Sequence, residues 1–315
     1  MKILVTGASG FVGRALCAEL LQRGHAVRGA VRKAQAELDG AEQVRVGSID
    51  GGTQWLGALD AVEVVVHLAA RVHVMNDGAA DPLAEFRKVN VEGTLNLARQ
   101  AAAAGVRRFV FLSSVKVNGE FTLAGHAFDE AALPAPQDAY GLSKHEAEQG
   151  LRRIAAETGM EAVIIRAPLV YGPGVKANFA ALVRGVRRGW PLPLGAVRNR
   201  RSLVGLGNLV DFIVTCTTHL QAANQTFLVS DGQDLSTAEL VRALARAAGV
   251  PARLPSVPVW ALHGAAALLG KGDAVQRLCG NLQVDITKAR EVLGWAPPES
   301  VEEGLRQAVA TGRAP

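Results

Sequence analysis

Tyr140 and Lys144, in the run Ala139-Tyr140-Gly141-Leu142-Ser143-Lys144, have types and spacing that speak directly to chemistry. Four residues make about one helical turn, so both side chains leave the same face of a helix. A lysine cation beside a phenol favours the phenolate and lowers the tyrosine pKa toward neutrality. A tyrosine tuned in this way is a general acid/base for a hydroxyl or carbonyl oxygen. The spacing by itself is common on helix surfaces. Its weight comes from what precedes it: a glycine-rich turn at residues 7–13 and the pair Ser113-Ser114 at the end of an apolar run.

Those residues need elements to hold them. Lys2–Thr6 (KILVT) reads as a buried strand, Phe11–Arg23 as a helix that stops at Gly24, and Ala26–Val31 as the next strand. Val62–Leu68 and Arg107–Ser113 read as further strands, Leu83–Ala104 and Ala139–Thr158 as long helices, and Glu161–Arg166 as another strand. Apolar strands alternating with helices mean βαβ units and an α/β fold, a Rossmann doubly wound parallel sheet with right-handed crossovers. After Arg166 the texture changes. Residues 168–202 are rich in Pro, Gly and Arg, Gln225–Val229 reads as one more strand, and Ser236–Ala248 as a helix with Ser236 at its N-cap. A last helix is expected near 301–311. The expected division is a Rossmann domain of residues 1–166 with 203–230, and a smaller C-terminal domain of 167–202 with 231–315.

Thr6-Gly7-Ala8-Ser9-Gly10-Phe11-Val12-Gly13 joins the first strand to the first helix. Glycines there let the backbone turn tightly and approach a pyrophosphate, which the positive end of the helix then attracts. The order is Gly-x-x-Gly-x-x-Gly, and a ligand-free structural turn is the bland alternative. Gly7, Ser9, Gly10, Phe11, Val12 and Gly13 are therefore candidate cofactor contacts. An acid at the end of the second strand would read a free ribose 2′-hydroxyl, as in NAD. Here the strand ends Ala30-Val31-Arg32-Lys33. Arg32 and Lys33 suit a 2′-phosphate, so the sequence leans to NADP over NAD, the alternative being two solvated turn residues. Ser48 and Ile49, after a third strand, are expected to line the adenine.

Composition narrows the class. The 315 residues are 49% hydrophobic and 5% aromatic, enough for a large core built mostly of Ala, Leu and Val. The net charge of +5 fits an anionic small molecule as well as nucleic acid or a membrane surface. The basic residues are dispersed apart from Arg198-Asn199-Arg200-Arg201, which lacks interleaved aromatics, so nucleic acid is not expected as a partner. Cys17, Cys216 and Cys279 are far apart and match no zinc spacing, so no metal site is expected and a reduced, cytoplasmic setting fits best. The opening residues, Met1–Val5, are too short for a signal sequence before Gly7. Residues 257–269 (VPVWALHGAAALL) are apolar but too few to span a bilayer, so no stable membrane insertion is expected. They read as a buried or partly buried helix, with contact to a membrane surface as the lesser reading.

Taken in order, Gly7/Gly10/Gly13, His67-Leu68-Ala69-Ala70, Asn90-Val91-Glu92-Gly93-Thr94, Ser113-Ser114, Tyr140-x-x-x-Lys144 and Arg166-Ala167-Pro168-Leu169-Val170-Tyr171-Gly172-Pro173 resemble the extended short-chain dehydrogenase/reductases. These are the nucleotide-sugar epimerases, dehydratases and 4-keto reductases. The ordered set covers essentially the whole chain and looks most like the 4-epimerase and 4-keto-reductase branch of O-antigen sugar pathways. The resemblance implies Ser114, Tyr140 and Lys144 as catalytic residues. Tyr140 would be the acid/base, Lys144 would bind the nicotinamide ribose, and Ser114 would bond the C4 oxygen of the sugar. It implies Leu68, Ala69, Ala70, Asn90 and Pro168 along the cofactor, with Asn90 steadying the active-site backbone or serving as a purely structural amide. His73, Lys116, Asn178, Arg201 and Arg277 become candidate contacts to a UDP-sugar in the C-terminal, nucleotide-sugar-binding domain. Arg201 would grip the diphosphate or only cover a loop, and Lys116 would stand near the sugar or face solvent. His67 reads as a packed strand-end histidine. The helices at 83–104 and 139–158 would pair across a homodimer.

Departures from the family pattern narrow the chemistry. The family's 4,6-dehydratases carry an Asp-Glu pair after the catalytic hydroxyl residue, whereas Ser114 is followed by Val115-Lys116, so 4,6-dehydration is not expected. The usual Val-Tyr-Gly is Val117-Asn118-Gly119, a change expected in the substrate wall. The expected activity is hydride transfer at sugar C4, leaning to reduction of a UDP-4-keto-6-deoxy-N-acetylhexosamine by NADPH. The alternative is a UDP-hexose 4-epimerase that retains NAD. A non-catalytic NADP-binding sensor ranks last, because Ser114, Tyr140 and Lys144 are all kept.

Overall fold

The computed structural model describes residues 1–33, 38–72, 81–268, 270 and 272–310. Its first half runs β1 (Lys2–Thr6), α1 (Phe11–Gln22), β2 (Ala26–Val31), β3 (Glu42–Arg45), β4 (Val64–His67), α2 (Pro82–Phe86), α3 (Thr94–Ala103), β5 (Arg108–Ser114), α4 (Ala139–Thr158) and β6 (Glu161–Ala167). Then follow β7 (Leu169–Tyr171), α5 (Ala177–Arg187), β8 (Leu203–Gly205), α6 (Leu206–Thr218), β9 (Thr226–Leu228), α7 (Thr237–Ala248), α8 (Val259–Leu268), α9 (Gly272–Cys279), α10 (Thr287–Leu293) and α11 (Val301–Ala310).

Seven strands form one parallel sheet in the order β3-β2-β1-β4-β5-β6-β9, the doubly wound Rossmann arrangement. The chain leaves β1 toward one edge and crosses to β4 on the other side, which opens a crevice at the strands' carboxyl ends. The central strands are apolar on both faces because both faces are covered. Ile3 and Val5 join a cluster with Leu16, Leu20 and Phe212 of α1 and α6, while Leu4 joins Leu97 of α3 and Leu151 of α4. A third cluster gathers Tyr171, Phe179, Leu244 and Leu305 from β7, α5, α7 and α11. The short parallel pair β7–β8 lies apart from the main sheet.

Local signals set the helix ends. Asp138 caps α4 by accepting from the Gly141 N–H at 2.6 Å, and Gly159 closes it in the left-handed region at φ 76°. Ser236 and Glu239 form a reciprocal capping box on α7.

The expected helix over 83–104 is three pieces in a row, since a π-helical segment, Arg87–Gly93, joins α2 to α3. Hydrophobic periodicity does not register that single widened stretch. The segment 257–269, expected to be buried or partly buried, contains the helix α8, which is partly buried: Ala266 is enclosed and Val259 and Leu262 pack on the C-terminal core, while Trp260 and Leu268 are exposed. Hydropathy reports what a segment would prefer to contact, and nothing about whether a neighbour is there. Among the described residues no helix is long and apolar enough to cross a membrane.

Candidate active site

The crevice begins at the turn after β1. Gly7 lies at φ +67°, its carbonyl accepts from Gly10 N–H at 2.8 Å, and a Cβ at Gly13 would collide with that same carbonyl oxygen. Helix α1 then starts without a side-chain cap and without an acid in its first turn. Backbone this close, followed by open helix N–H groups, fits a dinucleotide pyrophosphate. Ser9, Phe11 and Val12 belong to this turn. Leu68, Ala69 and Ala70 follow β4 directly alongside, where Thr6 Oγ1 accepts from Ala69 N–H at 3.2 Å. Arg32 and Lys33, just past β2, are exposed, as is Ser48 past β3. Ser48 donates to Asp50 at 2.9 Å, and Ile49 packs against Gly93.

His67, at the end of β4, is fully enclosed. Thr6 Oγ1 lies 2.7 Å from Nδ1 and Thr94 Oγ1 lies 3.0 Å from Nε2. Burial, with a lesser push from the Lys144 charge, pulls its pKa down to about 3. It is a neutral packing residue, as the sequence suggested.

Ser114 ends β5 in extended backbone and accepts from the Lys116 N–H at 3.2 Å. The turn that follows packs on the first turn of α4: a Cβ at Gly141 would stand 2.8 Å from the Lys116 carbonyl oxygen. Ser114 and Tyr140 are thereby held on adjoining segments. On the other side Ser114 is in register with Ala167, whose neighbour Pro168 is buried. The Tyr140 ring meets Phe86 edge-on at 6.1 Å. Lys144 is buried one turn on, with Nζ 2.9 Å from the Leu112 carbonyl oxygen, 4.4 Å from the Phe111 ring centre and 6.0 Å from that of Tyr140.

Here the electrostatics depart from the sequence expectation. Burial, with Asp138 adding to it, pushes the Tyr140 phenol above its ordinary value. Burial pulls Lys144 down to about 7, against an opposing pull from Glu148. One of the lysine's donors goes to a backbone carbonyl, and enclosure, not a cation, dominates the phenol's titration.

Asn90 sits inside the π-helical segment and is buried. Its Oδ1 accepts from Arg71 N–H at 2.8 Å, while Nδ2 donates to Arg71 O and to Ser143 Oγ, each at 3.0 Å. One amide thus ties the loop after β4 to the residue before Lys144.

Behind β5 lies a network that sequence reasoning left without a role. Glu148 is buried, one turn beyond Lys144. Its carboxylate accepts from Arg166 Nε at 3.0 Å and Nη2 at 2.7 Å, and from Ser113 Oγ at 2.6 Å. Arg166 Nη1 also donates to Asn118 Oδ1 at 3.1 Å. The sequence held one usable signal, since Tyr140, Lys144 and Glu148 recur at spacings of four on α4. Asn118, expected in the substrate wall, is instead enclosed in this network.

The candidate substrate contacts lie on separate elements: the turn after β5, α5, the approach to β8 and α9. Lys116, expected as a cation near the sugar, is paired with Asp138 and Glu120. Burial lowers its pKa, but those carboxylates outweigh it and the net shift is upward. Asn178 is exposed on the first turn of α5, directly after Ala177 at φ 55°. Arg201 is half-buried, with Nη1 donating to Arg277 O at 2.9 Å and Gly280 O at 3.1 Å. Arg277 is exposed on α9 and meets Arg201 through its carbonyl. His73 lies outside the described residues.

The chain is similar to known proteins over nearly its whole length. The profile of the NAD dependent epimerase/dehydratase family matches residues 3–230. The chain is 52% identical over 308 residues to a UDP-glucose 4-epimerase of Vibrio cholerae, covering 97% of this chain and 94% of that protein. The solved UDP-glucose 4-epimerase of Thermotoga maritima with UDP-glucose is 26% identical, with a TM-score of 0.78 over 99% of each chain. The UDP-glucuronic acid 4-epimerase of Bacillus cereus in complex with NAD shares the fold, with a TM-score of 0.79 at 22% identity over 99% of this chain and 98% of that one.

Proposed function

This chain belongs to the NAD dependent epimerase/dehydratase family, and from that premise we propose that it is a UDP-hexose 4-epimerase that retains NAD. The observation that carries the reading is the 52% identity to a UDP-glucose 4-epimerase across nearly the full length of both proteins. It moves the balance from the 4-keto reductase, favoured by the sequence, to the alternative.

In this reading the glycine turn and the loop after β4 would hold the dinucleotide, which would supply reversible hydride transfer at sugar C4. Tyr140 gives and takes the proton on the C4 oxygen. Its raised pKa keeps it a neutral phenol at rest, ready to donate. Ser114 holds the same oxygen and shares its developing charge. Lys144, titrating near neutrality beside Tyr140, offers a positive charge when the phenol ionises. Asn178, Arg201 and Arg277 hold the UDP diphosphate, so that contacts remote from C4 orient the reacting centre. On the same reading the cofactor lies on residues 1–166 with 203–230 and the sugar nucleotide on 167–202 with 231–315. The enzyme works in the cytoplasm as a homodimer paired through α3 and α4.

One observation favours the second reading, reduction of a UDP-4-keto sugar by NADPH. Arg32 and Lys33 are exposed where an acid would read the NAD ribose. A single experiment separates the two. The purified protein is denatured, the released nucleotide identified, and UDP-glucose supplied without added cofactor. Released NAD together with UDP-galactose formation supports the epimerase. An empty site, preference for NADPH and no UDP-galactose support the reductase.

A further inference from the structure

Helix α8 has two faces, and apart from the exposed His263 both are apolar. Val259, Leu262 and Ala266, at spacings of three and four, turn toward the C-terminal core. Trp260, Gly264, Ala267 and Leu268 turn outward, with Trp260 78% and Leu268 90% exposed. A surface helix normally presents polar residues on its outer face. Helix α7 does so, with Arg242 and Arg246 exposed. Across a cleft from Val259 and His263, Leu123 is also 77% exposed.

The sequence leading into this helix carries cations, and Asp273 is the first acid beyond it. From Leu240 to Gly272 the sequence contains no Asp or Glu, while Arg253 and Lys271 flank α8. Arg253 is exposed, and its carbonyl accepts from Leu192 N–H at 2.9 Å. That bond places it beside Trp190, a second exposed indole, with the Arg188 guanidinium 5.5 Å over its ring centre. An exposed indole bordered by arginines, as at Trp190, suits the boundary between headgroups and acyl chains, where the ring enters the bilayer and the cation meets lipid phosphate.

We propose that the outer face of α8, with Arg253 and Trp190 beside it, docks the protein on an anionic phospholipid surface. The helix lies in the interface and does not cross it. A second copy of the chain is a poorer occupant. Trp260, Leu268 and the alanines near them offer about 400 Å², roughly half of what a stable interface buries on each partner.

The test is vesicle flotation of the full-length protein. Vesicles of equal parts phosphatidylglycerol and phosphatidylcholine should carry it at low salt, and vesicles of phosphatidylcholine alone should not. The double substitution Trp260→Ser/Leu268→Ser should lower the bound fraction about tenfold or more. Arg253→Glu should weaken binding to the mixed vesicles, and added salt should weaken it further. The proposal is overturned if the mixed vesicles carry no protein, or if the double variant floats as well as the parent. It is equally overturned if light scattering shows that the double substitution halves the particle mass, since a second copy then covers α8. Flotation reads this surface alone, so its failure leaves the reaction proposed above untouched.

Discussion

Helix α4 buries Lys144 and Glu148, while α8 leaves Trp260 and Leu268 in solvent. Charges usually stay outside and large apolar side chains usually find cover, so each helix departs from the ordinary pattern in the opposite sense. On α4 the departure is compensated. Glu148 is held by Arg166 and Ser113, Lys144 meets a carbonyl, and the enclosure shifts the titration of both Lys144 and Tyr140. On α8 no compensation is present among the described residues. A compensated inversion is a site built within the chain, whereas an uncompensated one is a surface whose complement lies outside it.

The largest effect that would break this contrast is chemical. Tyr140→Phe should lower turnover about a thousandfold while leaving cofactor binding intact, as measured by steady-state rates and by the nucleotide released on denaturation. Turnover within tenfold of the parent would remove Tyr140 from the role of acid/base.

Next is the buried pair. Arg166→Met leaves the Glu148 carboxylate enclosed without its main partner and should cost about 3–5 kcal/mol of stability in urea unfolding. The double variant Arg166→Met/Glu148→Leu should recover most of that loss. A single substitution costing no more than a surface ion pair would mean that the network is not held as tightly as its geometry indicates.

Lys144 offers a test through pH. Its pKa is depressed to about 7 in the folded protein from an ordinary 10.5. Below about pH 7 the lysine is charged in both states and the cost of burying it is fully present. Between those two values the unfolded chain binds more protons than the folded one, so stability climbs as pH rises, by up to about 1.4 kcal/mol per pH unit. Lys144→Met lacks this gain. The variant should melt higher than the parent near neutrality, and the difference should shrink toward pH 10. Parallel melting curves across that range would show that Lys144 keeps an ordinary pKa.

The smallest expected effect sharpens the other side. Trp260→Ser and Leu268→Ser should each shift stability by less than about 0.5 kcal/mol, because neither side chain is covered. A loss of several kcal/mol in chemical unfolding would mean that the outer face of α8 is packed in solution, and the contrast with α4 would fail.

Much of the frame was readable in the chain. β1, β2 and α4 lie where the apolar runs and helical stretches place them, and Ser236 caps α7 as expected. These elements depend on neighbours in sequence: periodicity, a cap three residues from its donor, a glycine at a left-handed position. The π-helical turn around Asn90 escaped, because it rests on an amide reaching the loop after β4 and a residue of α4. Lys116 was read as a cation near the sugar, and its pairing with Asp138 depends on how the turn after Ser114 lies against the start of α4. Partial burial of α8 was expected, but which of its faces is uncovered was not readable, since hydropathy alone cannot tell a covered face from an uncovered one.

The sequence by itself determined the family and the doubly wound sheet and singled out Ser114, Tyr140 and Lys144 as candidates, because motif order, strand periodicity and helical spacing are all written along the chain. Tertiary structure alone decided the direction in which Tyr140 and Lys144 are shifted and which face of α8 is free. A pKa and an exposure are set by what surrounds a group in space, and those surroundings arrive from residues far away in sequence.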